Sequence, residues 1–185
     1  MQNQQKVKIP YHYASTPKED MDIILKICKE RKIFNKFIEI GTWIGSTSYQ
    51  IGFEFPEVQV YSFDITRHKG LIDVLENVHF FQCASSKILN KHYDLVKEAD
   101  VVFIDADHSY RVVKLDFEIA IKIIKKDGII VFHDHVYKKY GVKDLRNELL
   151  KNPNYKIESY NTTRGIFSLK NAIIKTIRQN ITRNI

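Results

Sequence analysis

Apolar residues recur at helical spacing in some segments of this chain and form short continuous runs in others. This alternation predicts alternating helices and strands. Apolar residues at helical spacing, Met21, Ile24, Leu25 and Cys28, follow Thr16-Pro17. That start predicts a helix with Thr16 as its N-cap and Pro17 as its first residue. Short apolar runs bounded by turn residues then predict strands at 37–40, 58–63, 78–82, 101–104 and 129–132.

The segments between these runs complete a recognisable order of elements. Helical patterns are predicted at 46–53, 67–76, 110–125 and 142–150, with a turn at 126–128 and a closing pair of strands at 155–160 and 165–169. Strands that are apolar throughout and alternate with helices are typical of a parallel sheet covered on both faces. We therefore predict one α/β domain over residues 1–185, a Rossmann-like doubly wound sheet that is mostly parallel with an antiparallel strand near the C-terminus.

Composition changes this picture mainly at the two ends. Residues 1–15 are predicted to be a tail, and 171–185 a basic helix that packs on the domain or on a second subunit, so a homodimer stays open. The formal charge of the chain is +7; residues 138–185, with 11 basic and 3 acidic residues, carry +8, and residues 1–137 carry −1. This quarter is either a solvated basic surface or a site for an anionic partner. No RNA-binding signature accompanies it, so nucleic acid is not expected as a partner.

The sequence has no pattern of a membrane span or a secretory signal, and its cysteines have no metal-binding spacing. These features predict a cytoplasmic protein. No apolar run approaches the roughly 18 residues that a membrane span needs, and the amide-rich start is not a secretory signal. Cys28 and Cys83 have no metal-binding spacing, which predicts two reduced thiols.

The residues that follow the predicted strands carry the chemistry, because ligands of such sheets bind beyond the carboxyl ends of the strands. The first strand runs into Glu39-Ile-Gly41-Thr-Trp43-Ile-Gly45-Ser46, whose glycines permit a tight turn and close approach of a ligand. Asp64 ends the second strand, 25 residues after Glu39, where a carboxylate can hold a ribose diol. Together these features predict a nucleoside site.

The kind of nucleoside follows from the glycine spacing and from Glu39. The dinucleotide fingerprint G-x-G-x-x-G is incomplete, because no third glycine opens the helix after Gly45. An acid two residues before Gly41 suits a sulfonium or ammonium better than a pyrophosphate. S-adenosylmethionine is therefore favoured. An NAD(P)-dependent oxidoreductase and a non-catalytic Rossmann-like binding module for an anionic partner remain the alternatives.

Three strings resemble known methyltransferase motifs. The glycine loop is similar to motif I of class I S-adenosylmethionine-dependent methyltransferases, in the catechol-type variant with a bulky residue between the glycines. Val102-Phe-Ile-Asp-Ala-Asp-His-Ser-Tyr-Arg111 resembles the FIDGDHSYE signature of a small methyltransferase-domain family that includes sugar and antibiotic O-methyltransferases. Lys126-Asp-Gly-Ile-Ile-Val-Phe-His-Asp-His135 resembles its KPGGIIVFHD segment, and the likeness runs from about 16 to 170.

The resemblance implies roles for individual residues. Glu39, Gly41 and Thr42 would border the methionine part of the cofactor, with Gly45 and Ser46 at the helix start. Asp64 would hold the ribose, and Ala84 and Ser85 would lie against the adenine. Asp105 and Asp134 match the metal-binding aspartates of catechol-type enzymes, Asp105 also adjoining the cofactor. His135 falls at an asparagine ligand of those enzymes, and His108 falls at their catalytic lysine.

These assignments predict a metal-assisted O-methylation. Asp105, Asp134 and His135 would bind Mg²⁺ or Mn²⁺, which lowers the pKa of a coordinated acceptor hydroxyl, and His108 would accept its proton, with Asp105 beside it. The expected acceptor is a small hydroxylated molecule such as a sugar or natural product.

Structural alternatives accompany these assignments. Asp105 could cap the following helix, and Asp107 could either N-cap the helix at Tyr110 or have a functional role. Trp43 could stack on a ligand or fill the core. His133 and His135 flank Asp134, and at most one of them is expected to face the metal.

Overall fold

The computed structural model describes residues 16–71 and 74–171, and within them the predicted strands form one sheet. The strands are β1 (Lys36–Ile40), β2 (Gln59–Asp64), β3 (Val78–Gln82), β4 (Ala99–Ile104), β5 (Ile124–Phe132), β6 (Tyr155–Tyr160) and β7 (Ile166–Asn171). Their order is β3-β2-β1-β4-β5-β7-β6. The first five strands pair in parallel, whereas β7 pairs antiparallel with both β5 and β6. The predicted Rossmann-like class is confirmed.

Helices cover both faces of this sheet, as the apolar strands require. They are α1 (Lys18–Lys29), α2 (Ser46–Glu54), α3 (Ile88–Val96), α4 (Tyr110–Ile123) and α5 (Gly141–Leu149). Alternate residues of each strand enter two separate cores. In β4, Val102 and Ile104 pack with α3, α4 and α5, while Val101 and Phe103 pack with α1. Among the described residues no helix is long and apolar enough to cross a membrane.

The start of α1 differs from the prediction by one position. Pro17 is the N-cap and the helix begins at Lys18. Thr16 does not cap it, because its hydroxyl lies 2.8 Å from the hydroxyl of Thr47 on α2. The threonine therefore joins two helices on the same face of the sheet.

The crossover from β2 to β3 contradicts the predicted helix at 67–76. Residues 65–71 and 74–77 form bends and turns. This segment lies against the glycine loop instead, since the Leu71 N–H donates to the Ile44 carbonyl at 2.8 Å. A Cβ on Gly70 would come within 2.3 Å of that carbonyl oxygen, so glycine permits the close approach.

Two further elements depart from the predicted pattern. A single 3₁₀ turn (Ser85–Lys87) leads into α3 where no helix was predicted. The predicted turn at 126–128 lies inside β5, whose pairing with β4 jumps from Ile124 to Ile129. The intervening residues bulge out of the ladder. The predicted tail at 1–15 and most of the predicted helix at 171–185 lie outside the described residues.

Candidate active site

The glycine loop after β1 is shaped by left-handed backbone and by Asp64. Gly41, Trp43 and Gly45 all have positive φ, at 91°, 46° and 82°. The N–H groups of Thr42 and Trp43 both donate to Oδ2 of Asp64, at 2.9 and 2.8 Å. Asp64 Oδ1 accepts the Thr66 N–H at 3.0 Å. An ionised carboxylate can accept about four hydrogen bonds, so Asp64 orders the loop and keeps capacity for a ribose hydroxyl.

Gly41 permits direct contact between this loop and the segment after β4. A Cβ at Gly41 would lie 2.3 Å from the Asp105 carbonyl oxygen and 2.4 Å from Ala106 Cα. Backbone atoms on that side leave no room for a side chain. The Asp105 N–H also donates to the Ile40 carbonyl at 2.9 Å. The glycine thus brings the ends of β1 and β4 together.

A cleft of about 530 Å³ opens over the carboxyl ends of β1, β2 and β3. Its lining includes Gly41, Asp64 and Asp105, together with Ala84 and Ser85 after β3. Trp43 is 51% exposed and lines the cleft, so the alternative that it fills the core is wrong. Five of the nine predicted cofactor residues thus line one cleft of the size that small-molecule sites have.

A second cleft of about 200 Å³ adjoins the first through three shared residues, Gly41, Trp43 and Asp105. Its other lining residues are Glu39, Thr42, His108, Asp134 and Arg164. Gly45 and Ser46 line neither cleft, since Gly45 is the N-cap of α2 and Ser46 its first residue. The predicted methionine-binding residues and the predicted catalytic residues therefore share this smaller space.

Glu39 lies at the floor of the second cleft and is 1% exposed. Ser48 of α2 donates a hydrogen bond to its carboxyl group at 2.5 Å. Burial raises the pKa of Glu39 to about 8, despite that hydrogen bond. At neutral pH the side chain is mostly uncharged, and a nearby cation would favour its ionised form.

Asp105, His108 and Asp134 converge at the ends of β4 and β5. One ligand atom from each lies within 4.8 Å of the others. His108 Nε2 lies 2.6 Å from Asp134 Oδ2 and 3.5 Å from Asp105 Oδ1, and its ring stacks on Tyr140 at 4.6 Å. The neighbouring carboxylates of Asp105 and then Asp134 raise the pKa of His108 to about 9. In this arrangement the imidazole is protonated at neutral pH.

His135 is not brought to this group, contrary to the prediction. Asp134 has a φ of 62°, which turns the chain out of the extended conformation after β5. The His135 ring then packs edge-on against Phe167 at 5.8 Å and beside Gly165, where a Cβ would come within 3.0 Å of it. The converging set contains His108 in its place.

Asp107 also has a different position from the one expected. Ser109, not Asp107, is the N-cap of α4. The Asp107 carboxylate accepts the Ser109 N–H at 2.7 Å and lines the first cleft. It therefore orders the turn between the end of β4 and α4.

Two residues of the site, Asp20 and Arg164, were missed in the sequence, and His133 was named only as an alternative to His135. His133 lies 3.0 Å from Asp105, Asp20 lies behind His133, and Arg164 lines the second cleft. The period of two could have indicated His133, which continues the face of β5 that carries Ile129 and Val131. Asp20 lies one turn before Ile24, on the apolar stripe of α1. No local pattern indicates Arg164, because the turn before β7 brings it to the site.

The converging set suits a hard divalent cation. Carboxylate oxygens are preferred ligands of Mg²⁺ and Mn²⁺, and imidazole is a common further ligand of Mn²⁺. Asp134 is nearly buried and Asp105 is partly exposed to the shared space of the two clefts. The residues present therefore fit such an ion, and they leave one side open toward a ligand.

Comparisons with known proteins agree with this geometry. Residues 38–135 match the model of a methyltransferase-domain family. A sequence search among curated proteins finds no match. Among solved structures, a Staphylococcus aureus protein named as a caffeoyl-CoA O-methyltransferase has a TM-score of 0.71 at 21% identity, covering 90% of this chain and 86% of that one.

Two further structures share the fold at 14% identity. Rv0187 from MTB, solved with bound cofactor, has a TM-score of 0.70 and covers 89% of this chain and 84% of its own. MycE, a methyltransferase of the mycinamycin biosynthetic pathway solved with Mg, SAH and mycinamycin VI, has a TM-score of 0.67. The match covers 89% of this chain and 52% of MycE, so this chain corresponds to about half of that protein.

The family match covers more than half of the chain and includes the glycine loop, both clefts' central residues and Asp134. The fold of the solved structures agrees with it. This chain belongs to the methyltransferase-domain family and has the fold of class I methyltransferases.

Proposed function

We propose that this protein transfers a methyl group from S-adenosylmethionine to a hydroxyl oxygen of a small molecule, assisted by Mg²⁺ or Mn²⁺. The observation that carries the proposal is the sharing of Gly41, Trp43 and Asp105 by the two clefts. A nucleoside-sized cleft thereby opens directly onto a group of metal-ligand side chains.

The cofactor fits the first cleft by size and by polarity. Asp64 retains capacity for a ribose hydroxyl, and Ala84 and Ser85 line the same cleft, which supports their assignment to the adenine. Glu39 faces the second cleft, where the amino-acid part of the cofactor would place its ammonium. MycE binds SAH together with Mg, which supports the same pair of ligands here.

The transfer itself is a displacement at carbon. The acceptor oxygen forms a bond to the methyl carbon as the bond from that carbon to sulfur breaks, and the electron pair stays on sulfur to give S-adenosylhomocysteine. The hydroxyl proton leaves to a base. A bound divalent cation would supply Lewis acidity, lowering the pKa of the acceptor hydroxyl. The chain's own contribution is to align the acceptor with the sulfonium and to exclude water.

His108 is the proposed proton acceptor; its Nε2, which faces Asp105 and Asp134, would be either this base or a third metal ligand, because one lone pair cannot serve both. Both roles require the neutral imidazole, whereas the two carboxylates favour its protonated form. Once both carboxylates are bound to a cation, they stabilise the imidazolium less. The neutral form is then available at lower pH.

A small hydroxylated acceptor agrees with the size of the second cleft, about 200 Å³. MycE, which was solved with mycinamycin VI, is a neighbour whose ligand is a small molecule. Localisation in the cytoplasm, a homodimer and a single domain including both ends remain predictions.

Methyl transfer to a panel of phenols, catechols, sugars and macrolides tests the proposal directly. We expect labelled methyl from S-adenosylmethionine to enter at least one hydroxylated compound, with Mn²⁺ or Mg²⁺ increasing the rate and a chelator removing the increase. Asp134→Asn should lower kcat by at least about 100-fold, since it removes one charged ligand. Asp144→Asn, an exposed carboxylate on α5, is the matched control and should keep full activity.

Two results would count against the proposal. If S-adenosylhomocysteine does not bind, the cofactor assignment is wrong. If transfer occurs at the same rate with and without chelator, and Asp134→Asn behaves as Asp144→Asn, the metal-assisted step is wrong.

A further inference from the structure

His133 is a fully buried imidazole that stands between three carboxylates. Its Nδ1 lies 3.0 Å from Asp105 Oδ1 and 3.5 Å from Asp134 Oδ2, and its Nε2 lies 3.5 Å from Asp20 Oδ2. The side chains of His133 and Asp20 are both 0% exposed. One edge of the ring therefore faces the converging set, and the other faces α1.

The alternation of side chains along the strands explains why these groups meet. Asp105 extends the face of β4 that carries Val101 and Phe103, and His133 extends the matching face of β5. This is the face that α1 covers, which places Asp20 within reach of the ring. The contact thus results from the packing of α1 on the sheet, outside the clefts themselves.

Asp20 is itself fixed by the turn between β6 and β7. Its Oδ1 accepts a hydrogen bond from the Thr162 hydroxyl, and its Oδ2 lies 3.3 Å from the Arg164 N–H. The turn that presents Arg164 to the second cleft is therefore tied to the same carboxylate that faces His133. A buried charged group held from three sides is costly unless each contact compensates for its lost hydration.

We propose that Asp20 and His133 are positioning residues for the methyl-transfer site, with Asp20 orienting the His133 ring so that Nδ1 holds the Asp105 carboxylate in place. This inference rests on the proposed function, because it assigns the effect to a metal ligand of that function. Without the contact to Nδ1, the Asp105 carboxylate could rotate about its χ2 angle, which is a broad torsion. Substitution of a residue that holds a metal ligand in place typically lowers metal affinity or activity by about 10- to 100-fold.

Two conservative substitutions of His133 separate the edges of the ring. The amide nitrogen of asparagine is as many bonds from Cα as Nδ1, and that of glutamine is as many bonds from Cα as Nε2. We expect His133→Asn to keep most of the Mn²⁺ affinity and kcat. His133→Gln and His133→Ala should each lose about 10- to 100-fold in both.

Asp20→Asn tests the more distant residue, with Glu19→Gln as its matched control. Glu19 is exposed and accepts a hydrogen bond from the Thr163 hydroxyl at 3.0 Å, so it holds the same turn without reaching His133. Asp20→Asn should weaken Mn²⁺ binding by about 10-fold and lower kcat, with the KM for S-adenosylmethionine within about twofold of the wild type. Glu19→Gln should change neither quantity.

The combined variant decides whether Asp20 acts through His133. In the His133→Ala background, Asp20→Asn should cause no further loss, since contacting residues that act as a unit are not additive. Mn²⁺ affinity is measured from the electron paramagnetic resonance signal of the free ion. Binding of S-adenosylhomocysteine, followed by fluorescence of the single tryptophan, Trp43, should stay at the wild-type value and shows that each variant is folded.

Distinct results would overturn the inference. Losses that multiply in the double variant, an equal loss in Glu19→Gln, or unchanged Mn²⁺ affinity in both Asp20→Asn and His133→Gln would each exclude the positioning role while leaving the proposed function intact. If the wild type itself binds no Mn²⁺, the metal-assisted function fails, and the role assigned to Asp20 and His133 fails with it. If His133→Ala does not fold, the positioning role is still tested by His133→Asn against His133→Gln and by Asp20→Asn against Glu19→Gln.

Discussion

At the scale of single residues, the site depends on side chains whose protonation and backbone conformation are set by burial. Glu39 is kept mostly uncharged at neutral pH by its removal from water, and the backbone at Gly41 approaches that of Asp105 too closely for any side chain. Both features lower the stability of the fold and favour the binding of a ligand. A buried carboxyl and a left-handed loop are costs of folding that a bound cation and a nucleoside would offset.

Glu39 should couple cofactor binding to proton release. Its pKa of about 8 means that the protonated form dominates below that pH, and the ligand's ammonium favours the ionised form. Affinity for S-adenosylhomocysteine should therefore rise with pH up to about 8 and then level off. Calorimetry at pH 7 in two buffers of different ionisation enthalpy should show release of up to about one proton.

Glu39→Gln provides the control for this linkage. It should bind the ligand more weakly and release no proton in either buffer. A wild-type affinity that does not change between pH 6 and pH 8 would contradict the role given to Glu39.

Gly41→Ala should weaken cofactor binding, because its Cβ would displace the backbone after β4. Gly45→Ala is the matched variant, since Gly45 also has positive φ but lines neither cleft. Gly45→Ala should lose about 1 kcal/mol of stability, or about 2–4 °C in Tm, from its positive φ, and Gly41→Ala should lose more because its Cβ also meets backbone atoms. Only Gly41→Ala should also lose at least about tenfold in affinity for S-adenosylhomocysteine, measured by Trp43 fluorescence. Equal affinities would show that the close approach is irrelevant to the site.

At the scale of elements, the antiparallel strand β7 closes the sheet beside the site. Phe167 of β7 stacks on Phe132 of β5, with ring centroids 4.3 Å apart and an interplanar angle of 6°. The same phenylalanine contacts the edge of His135. The packing of β7 therefore fixes the chain where it turns away from β5, next to Asp134.

Phe167→Ala should lower the free energy of unfolding by about 3–5 kcal/mol, the range for truncating a buried aromatic side chain. Leu150→Ala, at a side chain that is 51% exposed, should change it by no more than about 0.5 kcal/mol. Urea denaturation followed by circular dichroism measures both. A loss below about 1 kcal/mol for Phe167→Ala would mean that β7 is not part of the cooperative core.

Strands were easier to predict than the segments between them. The apolar runs of β1, β4 and the second half of β5 are buried on both faces of the sheet, and this signal is local. The segment at 67–76 has a helical pattern, yet it bonds to the backbone of Ile44, which is a tertiary effect. For the same reason His135 was misassigned: Asp134 has a left-handed φ, and the N–H groups that follow, of His135 and Val136, donate to carbonyls of the β6–β7 turn at 3.4 Å.

At the scale of the whole molecule, the parallel order of strands concentrates the chemistry at one edge. Residues far apart in sequence, from Asp20 to Arg164, meet where β1, β4 and β5 end. Most residues of the site could be predicted because they directly follow apolar runs that the sequence shows as strands. The contributions of α1 and of the β6–β7 turn could not be predicted, because they depend on which helix covers which face.

The basic character of the chain gives a prediction that separates its small-molecule function from binding of a polyanion. The sequence pI is about 9.2. Affinity for S-adenosylhomocysteine, a ligand with no phosphate, should change by less than about threefold between 50 and 200 mM salt, because few counterions are released. A protein built to neutralise 6–10 phosphates would lose about 10³- to 10⁵-fold over that range. Tight binding of duplex DNA at 200 mM salt would favour the binding-module alternative.

Calorimetric titration of the wild-type protein with S-adenosylhomocysteine, with NADH as competitor, tests the central claim most directly. The structure predicts one site per chain, a dissociation constant below about 100 μM, and no displacement by NADH. No heat of binding at that concentration, or displacement of the ligand by NADH, would contradict the assignment of the cleft over β1, β2 and β3 to S-adenosylmethionine.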